Sequence, residues 1–296
     1  MVRIARMVTV VCFVLMCSVA GAQTIDVGRG DVQIRVPTNS GSDTTLGLVV
    51  LLHGYSHTGQ LRESEWKFGA LVDRYGFVLA YPDGTREASD DQNQFWNASD
   101  ACCNFSGSTV DDSSYVRAII DRLLSEYNID PKRVYLIGHS NGGFMSYRLA
   151  YEHSETIAAI VSVAGAASTR VRPAPPNPVH VLQIHGTADT VIDYAGGDIR
   201  ANLSGRGERR PYPGAIASAE RWAVYNGCAV EASTGENLDL VRSVDGEETT
   251  VMRYTTNCKD GGSSEVWSIV GGAHTPDISP TFSEHIVEWM FAHPKP

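Results

Sequence analysis

The segment that most constrains the fold is GHSNG at residues 138–142, a G-x-S-x-G sequence that directly follows an apolar, β-branched run. That run, at residues 133–137, predicts a strand, and the residues after Gly143 are typical of a helix. Glycines on both sides of the serine let a strand and a helix approach closely without Cβ clashes. The segment therefore predicts a strained turn on which the Ser140 hydroxyl stands clear of the backbone as a nucleophile.

Two later segments carry the groups that such a serine requires. Asp189 lies just beyond the apolar run 179–185, and His274 lies in the glycine-rich loop after the run 266–270. The chain order of serine, acid and histidine is that of the α/β-hydrolases. In this interpretation His274 accepts the Ser140 proton, and Asp189 fixes the tautomer of the imidazole and stabilises its positive charge.

Other acids and histidines are alternatives for these roles. Asp193 is the rival acid, although it lies away from the end of the strand. His57 follows an early strand and is expected only to line the site. Five further histidines are less suited to act as the base. His53 and His185 end apolar strands and are expected to be structural, whereas His285 and His293 fall in the last helix as packing or surface residues. His139, inside the serine turn, is too close to its own serine.

The candidate oxyanion hole needs two backbone donors. In hydrolases with this turn, one donor is the N–H of the residue after the nucleophile, which here is Asn141. The other comes from the loop after an early strand, and the run 48–52 ends in such a loop. Tyr55 is the predicted second donor, and Ser56 is the next candidate.

Candidate substrate contacts come from two loops. Trp96 and Phe105 lie in the long irregular stretch 82–110, where an aromatic ring can stack on an aromatic or sugar group. For Trp96, a core position that anchors the loop is an equally good interpretation. Ser56, in the predicted oxyanion loop, is a further candidate substrate contact.

Together these motifs resemble the secreted esterase family that includes polyhydroxybutyrate depolymerase-like proteins, feruloyl esterases and some acetylxylan esterases. The resemblance spans residues 32–289 and implies a single α/β-hydrolase domain, whose mostly parallel sheet has helices on both faces. It implies no cofactor and no metal. One departure is Pro276-Asp277, where family members often carry a tryptophan. The motifs are LHG at 52–54, YPDG at 81–84, FWN at 95–97, CC at 102–103, VDD at 110–112, GHSNGG at 138–143, HGTAD at 185–189, NGC at 226–228 and GGAHT at 271–275.

The first 22 residues predict a secretory signal peptide. Arg3 and Arg6 precede a short apolar core, and small residues at 20–22 form a cleavage site. We therefore expect a secreted protein with its catalytic domain at 23–296. The formal charge of −10 disfavours nucleic acid and anionic membranes as partners. An ester substrate is the one predicted partner, and the oligomeric state is left open.

Four cysteines remain after residue 22, and an even number in an exported chain suggests two disulfides. The family resemblance pairs Cys228 with Cys258. Cys102 and Cys103 are then left either as a bridge between neighbours or as two free buried thiols.

The sequence as a whole predicts a secreted serine carboxylesterase. Its expected substrates are soluble esters, such as feruloyl or acetyl esters of plant cell-wall polysaccharide. The alternative is a depolymerase or oligomer hydrolase for polyhydroxyalkanoates such as polyhydroxybutyrate. A non-catalytic binding module on the same fold would be expected to lack a member of the triad, and none is missing here.

Overall fold

A ten-stranded sheet organises the part of the chain that the structure describes. In this computed structural model the described residues are 23–38, 44–88, 92–170, 172–199 and 210–296. The predicted signal peptide lies outside them. Their strands are β1 (Gln23–Asp26), β2 (Asp31–Arg35), β3 (Leu46–Leu52), β4 (Phe77–Tyr81), β5 (Thr85–Arg86), β6 (Gln94–Phe95), β7 (Ile129–His139), β8 (Ala159–Val163), β9 (His180–Gly186), β10 (Gly196–Asp198), β11 (Pro211–Pro213), β12 (Ser233–Thr234), β13 (Thr249–Tyr254) and β14 (Ser264–Ile269).

The central part of the sheet is parallel. The strand order is β1-β2-β4-β3-β7-β8-β9-β14-β13-β12, and each neighbouring pair from β4 to β14 runs parallel. The two strands at each edge are antiparallel. This mostly parallel sheet confirms the predicted α/β-hydrolase fold. No helix among the described residues is long and apolar enough to cross a membrane.

Helices cover both faces of the sheet. They are α1 (Gly59–Trp66), α2 (Val72–Tyr75), α3 (Asp112–Glu126), α4 (Asn141–Glu152), α5 (Ala215–Tyr225) and α6 (Phe282–Phe291). Along β3, Leu48, Val50 and Leu52 pack in the core with α3, α4 and α5, whereas Val49 and Leu51 pack in the opposite core with α1, α2 and α6. Burial of each such side chain contributes about 1.5–3 kcal/mol, so the two cores fix the register of the strand.

The parallel strands place the predicted site residues along one edge of the sheet. Tyr55 follows the end of β3, Ser140 follows β7, Asp189 follows β9 and His274 follows β14. Ligands of open α/β sheets bind at this carboxyl edge. At the opposite edge, the backbone N–H of Lys295 donates to the carbonyl oxygen of Lys132 in β7, at 2.9 Å.

Two disulfides close local parts of the chain. Cys228, just after α5, is bonded to Cys258, just after β13, with an S–S distance of 2.03 Å. This is the pairing that the family resemblance implies. The adjacent Cys102 and Cys103 are also joined by a disulfide. Of the two alternatives for this pair, the structure contains the bridge between neighbours.

Candidate active site

Ser140 occupies a one-residue turn between a strand and a helix. Strand β7 ends at His139 and α4 begins at Asn141, and Ser140 has φ 52° and ψ −118°. A non-glycine residue in this region is strained by about 1–3 kcal/mol and persists only where its surroundings impose it. A Cβ on Gly138 would overlap the carbonyl oxygen of Gly142, so the turn requires the close approach that the glycines allow.

Three side chains form a continuous hydrogen-bond chain at the carboxyl edge of the sheet. His274 Nε2 lies 3.0 Å from Ser140 Oγ, and His274 Nδ1 lies 2.7 Å from Asp189 Oδ2. A carboxylate only accepts hydrogen bonds, so Nδ1 carries the proton and Nε2 is free to accept one from the serine. This is the arrangement of a nucleophile, a general base and an orienting acid.

The carboxylate of Asp189 is fully buried, with 0% of its side chain exposed. Its Oδ1 accepts the backbone N–H groups of Val191 at 2.8 Å and Ile192 at 2.9 Å. Burial alone would raise the pKa of Asp189, but hydrogen bonds from His185 and His274 outweigh it and hold the pKa well below its usual range. The acid is therefore charged whenever the histidine can act as a base.

The rival acid lies elsewhere. The backbone N–H of Asp193 donates to the hydroxyl of Tyr212, a residue of β11, at 2.9 Å. Among the described residues, the carboxylate hydrogen-bonded to His274 is that of Asp189.

Two histidines that the sequence sets aside as bases hold parts of this hydrogen-bond network in place. His139 Nε2 lies 3.0 Å from the carbonyl oxygen of His274. His185 Nε2 lies 3.1 Å from Asp189 Oδ2. His53 behaves as predicted: its ring donates to the Gly54 carbonyl and accepts from the Gly84 N–H, and burial lowers its pKa to about 4.

The predicted oxyanion donors come from α4 and from the loop after β3. The two candidates in that loop, Tyr55 and Ser56, differ in the hydrogen bonds of their backbone. Asn141 is the first residue of α4, where backbone N–H groups have no partner within the helix. Tyr55 lines the same cavity as Ser140. The N–H of Ser56 instead donates to the carbonyl oxygen of Gln94 at 2.9 Å, which leaves Tyr55 as the candidate from this loop.

Two of the three residues predicted to contact substrate, Trp96 and Ser56, do not line the cavity in this structure. Trp96 is 0% exposed, its Nε1 donates to the carbonyl oxygen of His53 at 3.0 Å, and its backbone N–H donates to Asn141 Oδ1 at 2.6 Å. Trp96 therefore occupies a core position, as in the alternative interpretation of the sequence. Its bond to Asn141 anchors the loop that carries it to the serine turn. The Ser56 hydroxyl is bonded to Asn93 at the surface.

A mostly apolar cavity of 260 Å³ opens above the serine. Phe105 lines it, and its ring meets that of Tyr55 edge-on with centroids 5.2 Å apart. Ser140, His274 and His57 also line it, so His57 takes the place the sequence predicts. The remaining wall includes Cys103, Val191 and Ile199. No group of acidic, histidine or cysteine side chains within the described ranges could hold a metal ion.

Comparison with known proteins places this chain in a family. Residues 36–205 match the family model described as phospholipase/carboxylesterase, and this match spans more than half of the chain. The chain belongs to the phospholipase/carboxylesterase family of α/β-hydrolases. This assignment confirms the family resemblance that the sequence motifs indicate.

Individual relatives carry esterase names. The chain is 31% identical over 234 residues to the protein of Nocardia uniformis named as esterase NocK, a match covering 77% of this chain and 64% of that protein. It thus spans just under two thirds of NocK. It is 29% identical over 254 residues to feruloyl esterase B of Neurospora crassa, covering 83% of each. These names agree with the family resemblance in the sequence.

The fold agrees with solved structures. The acetyl xylan esterase from Aspergillus awamori matches with a TM-score of 0.63 at 17% identity, covering 92% of this chain and 99% of that chain. At this identity the likeness concerns the fold, and it confirms a single α/β-hydrolase domain.

Proposed function

We propose that this protein is an exported serine carboxylesterase whose catalytic triad is Ser140, His274 and Asp189. The observation that carries the proposal is the pair of distances at His274, 3.0 Å to the serine hydroxyl and 2.7 Å to the buried carboxylate. The export part rests on the signal-like residues 1–22 and on the disulfides, which form and persist in oxidising compartments.

The proposed reaction is a two-step acyl transfer. His274 takes the proton of Ser140 as its oxygen attacks the ester carbonyl, and the backbone N–H groups of Tyr55 and Asn141 stabilise the oxyanion. The imidazolium then gives its proton to the departing alcohol, leaving an acyl-serine. In the second step His274 activates a water molecule, which releases the acid and restores the serine.

The cavity favours an ester with an aromatic acyl group. Its 260 Å³ lies just below the ~300–1,000 Å³ of sites for drug-sized ligands, which suits one ring and a short linker. Phe105 and Tyr55 offer ring edges and faces on which such a group can pack. A feruloyl ester fits this description better than an acetyl ester, which would leave most of the cavity unfilled.

The test combines activity with covalent labelling. Ser140→Ala should abolish hydrolysis of p-nitrophenyl acetate and labelling by a fluorophosphonate. The control is Ser146→Ala, which removes another buried serine of the same helix and should retain both. Retention of more than a few per cent of activity by Ser140→Ala would refute the proposed nucleophile.

The substrate class is tested separately. We expect higher kcat/KM for methyl ferulate than for acetylated xylan or hydroxybutyrate oligomers. Polyhydroxybutyrate granules should clear slowly. Rapid clearing of the granules, at rates near those for soluble esters, would favour the depolymerase alternative instead.

A further inference from the structure

A second set of buried polar side chains lies behind the candidate triad. Tyr147 projects from α4, and Gln183 and His185 project from β9; all three are at most 2% exposed. Gln183 and His185 are two residues apart on one strand, so their side chains share a face of the sheet. Buried polar groups of this kind are stable only when each is hydrogen-bonded.

The hydrogen bonds fix the orientation of the Gln183 amide. Its Nε2 lies 2.9 Å from the carbonyl oxygen of Gly165, which can only accept. The amide nitrogen must therefore be on that side, and Oε1 accepts from the Tyr147 hydroxyl at 2.9 Å. The burial that isolates this hydroxyl raises the pKa of Tyr147 strongly, so it remains a donor.

The oriented amide in turn fixes the tautomer of His185. Gln183 Nε2 lies 3.1 Å from His185 Nδ1, and because an amide nitrogen donates, Nδ1 must be the unprotonated acceptor. The proton of the neutral ring is then on Nε2. This atom lies 3.1 Å from Asp189 Oδ2 and 2.8 Å from the carbonyl oxygen of Ile192, and both of these oxygens accept.

We infer that His185, oriented by Gln183, is a positioning residue for the candidate catalytic acid. Oδ2 of Asp189 receives N–H groups from His185 and His274, while Oδ1 receives two backbone N–H groups. Four donors leave the carboxylate one orientation, with an Oδ2 lone pair aimed at His274. The inference rests on the proposed triad and adds to it the residue that orients the acid.

The network also returns to the start of the helix that carries Tyr147. From Tyr147 it passes through Gln183, His185 and Asp189 to His274, and from there to Ser140, the residue before α4. A shift of α4 against β9 would disturb both the serine and the acid. Catalytic geometry therefore depends on side chains that do not line the cavity.

The test compares two replacements of His185. His185→Phe keeps a ring of similar size but has no N–H, whereas His185→Gln places an amide nitrogen near the position of Nε2. We expect His185→Phe to lower kcat about ten- to a hundredfold with little change in KM, as for loss of a hydrogen bond to a charged group. We expect His185→Gln to recover kcat to within about threefold of the parent protein.

A pH profile separates positioning from simple damage to the fold. In His185→Phe the Asp189 carboxylate loses one of its two imidazole donors. It then attracts the His274 imidazolium more strongly. The acid limb of the kcat/KM profile should therefore move to higher pH, a shift that misfolding of a fraction of the protein would not cause. His185→Gln should keep the parent profile.

The outcomes distinguish this inference from the proposed function. Activity in Ser140→Ala would refute the triad itself. If Ser140→Ala and Asp189→Asn are inactive while His185→Phe has the parent kcat and profile, the triad stands and the inference is wrong. If His185→Phe does not fold, Gln183→Met removes the donor to Nδ1 instead; a severalfold loss of kcat supports the inference, and an unchanged kcat overturns it.

Discussion

His139 Nε2 lies 3.0 Å from the carbonyl oxygen of His274, so the residue before the candidate nucleophile holds the loop of the candidate base. The direction of this bond is fixed on the other side of the ring, where Arg62 Nη2 lies 3.1 Å from His139 Nδ1. A guanidinium only donates, so Nδ1 accepts and Nε2 carries the proton. Burial, together with the charge of Arg62, lowers the pKa of His139 well below its ordinary value and keeps the ring neutral.

This relationship predicts a loss of turnover when the His139 donor is removed. His139→Phe should lower kcat for p-nitrophenyl acetate about five- to tenfold, because a buried hydrogen bond contributes about 1 kcal/mol and the loop of His274 loses its anchor. Steady-state kinetics measure the effect. His139→Gln retains a side-chain N–H and should lose less; equal losses in the two variants would contradict this role.

The identity of the acid is tested by a matched pair of amides. Asp189→Asn should lower kcat by about 10⁴, because the amide favours the wrong imidazole tautomer. Asp193→Asn should stay close to the parent protein, since Asp193 lies with Tyr212 rather than with His274. A larger loss in Asp193→Asn than in Asp189→Asn would reverse the assignment.

Neutral histidines with lowered pKa values, among them His53 and His180, predict a loss of stability in mild acid. Burial lowers the pKa of His53 from 6.5 to about 4 and that of His180 to about 3. Below pH 6.5 the unfolded chain binds protons that the folded state refuses, so the free energy of unfolding falls as the pH falls towards 4. In this window each such histidine lowers the free energy of unfolding by about 1.4 kcal/mol for each pH unit.

Urea unfolding between pH 8 and pH 4.5 measures this slope. His180→Gln removes one of the two groups without changing the cavity, and its free energy of unfolding should fall less steeply below pH 6.5. A slope identical to that of the parent protein would exclude His180 as a source of the acid sensitivity.

The Cys228–Cys258 bridge should stabilise the fold without serving catalysis. It closes a sequence separation of 30 residues and neither cysteine lines the cavity. A double change to serine should lower the free energy of unfolding by about 3–4 kcal/mol in the chain-entropy model and leave kcat unchanged. Thermal melts and ester hydrolysis below the transition measure the two effects; a parallel loss of kcat would argue for a role in the site.

The aromatic wall predicts acyl selectivity. Phe105→Ala should raise KM for methyl ferulate severalfold and leave hydrolysis of p-nitrophenyl acetate nearly unchanged, because the small acetyl group does not reach the ring. Val230→Ala, which alters an exposed apolar residue outside this cavity, is the control. An equal effect of Phe105→Ala on both esters would remove Phe105 from the acyl-binding wall.

The sequence predicts the fold and the candidate catalytic groups because their signals are local. A strand, a one-residue turn and a helix are encoded within about 20 residues around Ser140, and parallel strands bring their carboxyl ends together wherever they occur. The burial of Trp96 was not predictable in this way, since an aromatic residue in a long loop looks the same whether it faces a ligand or the core. Only the contact with His53, 43 positions away, decides it.

The supporting role of His139 depends on a bond between distant segments. From the sequence, His139 is predicted only to be too close to Ser140 to act as the base, and His185 only to be structural. One signal was nevertheless present. Gln183 and His185 occupy alternate positions in the buried part of β9, so two polar side chains point to one face of the sheet. Such a pair must find partners, and the acid just beyond the strand end is the nearest.

The position of Lys132, at the end of the sheet opposite the cavity, has a practical consequence for attaching the protein to a solid support. Lys132 is exposed and lies near the start of β7, seven residues before the strand reaches His139 at the serine turn. At about 3.3 Å per residue, roughly 23 Å of strand separate the backbone of Lys132 from that of His139. Coupling through Lys132 would orient immobilised molecules with their cavities facing the solution.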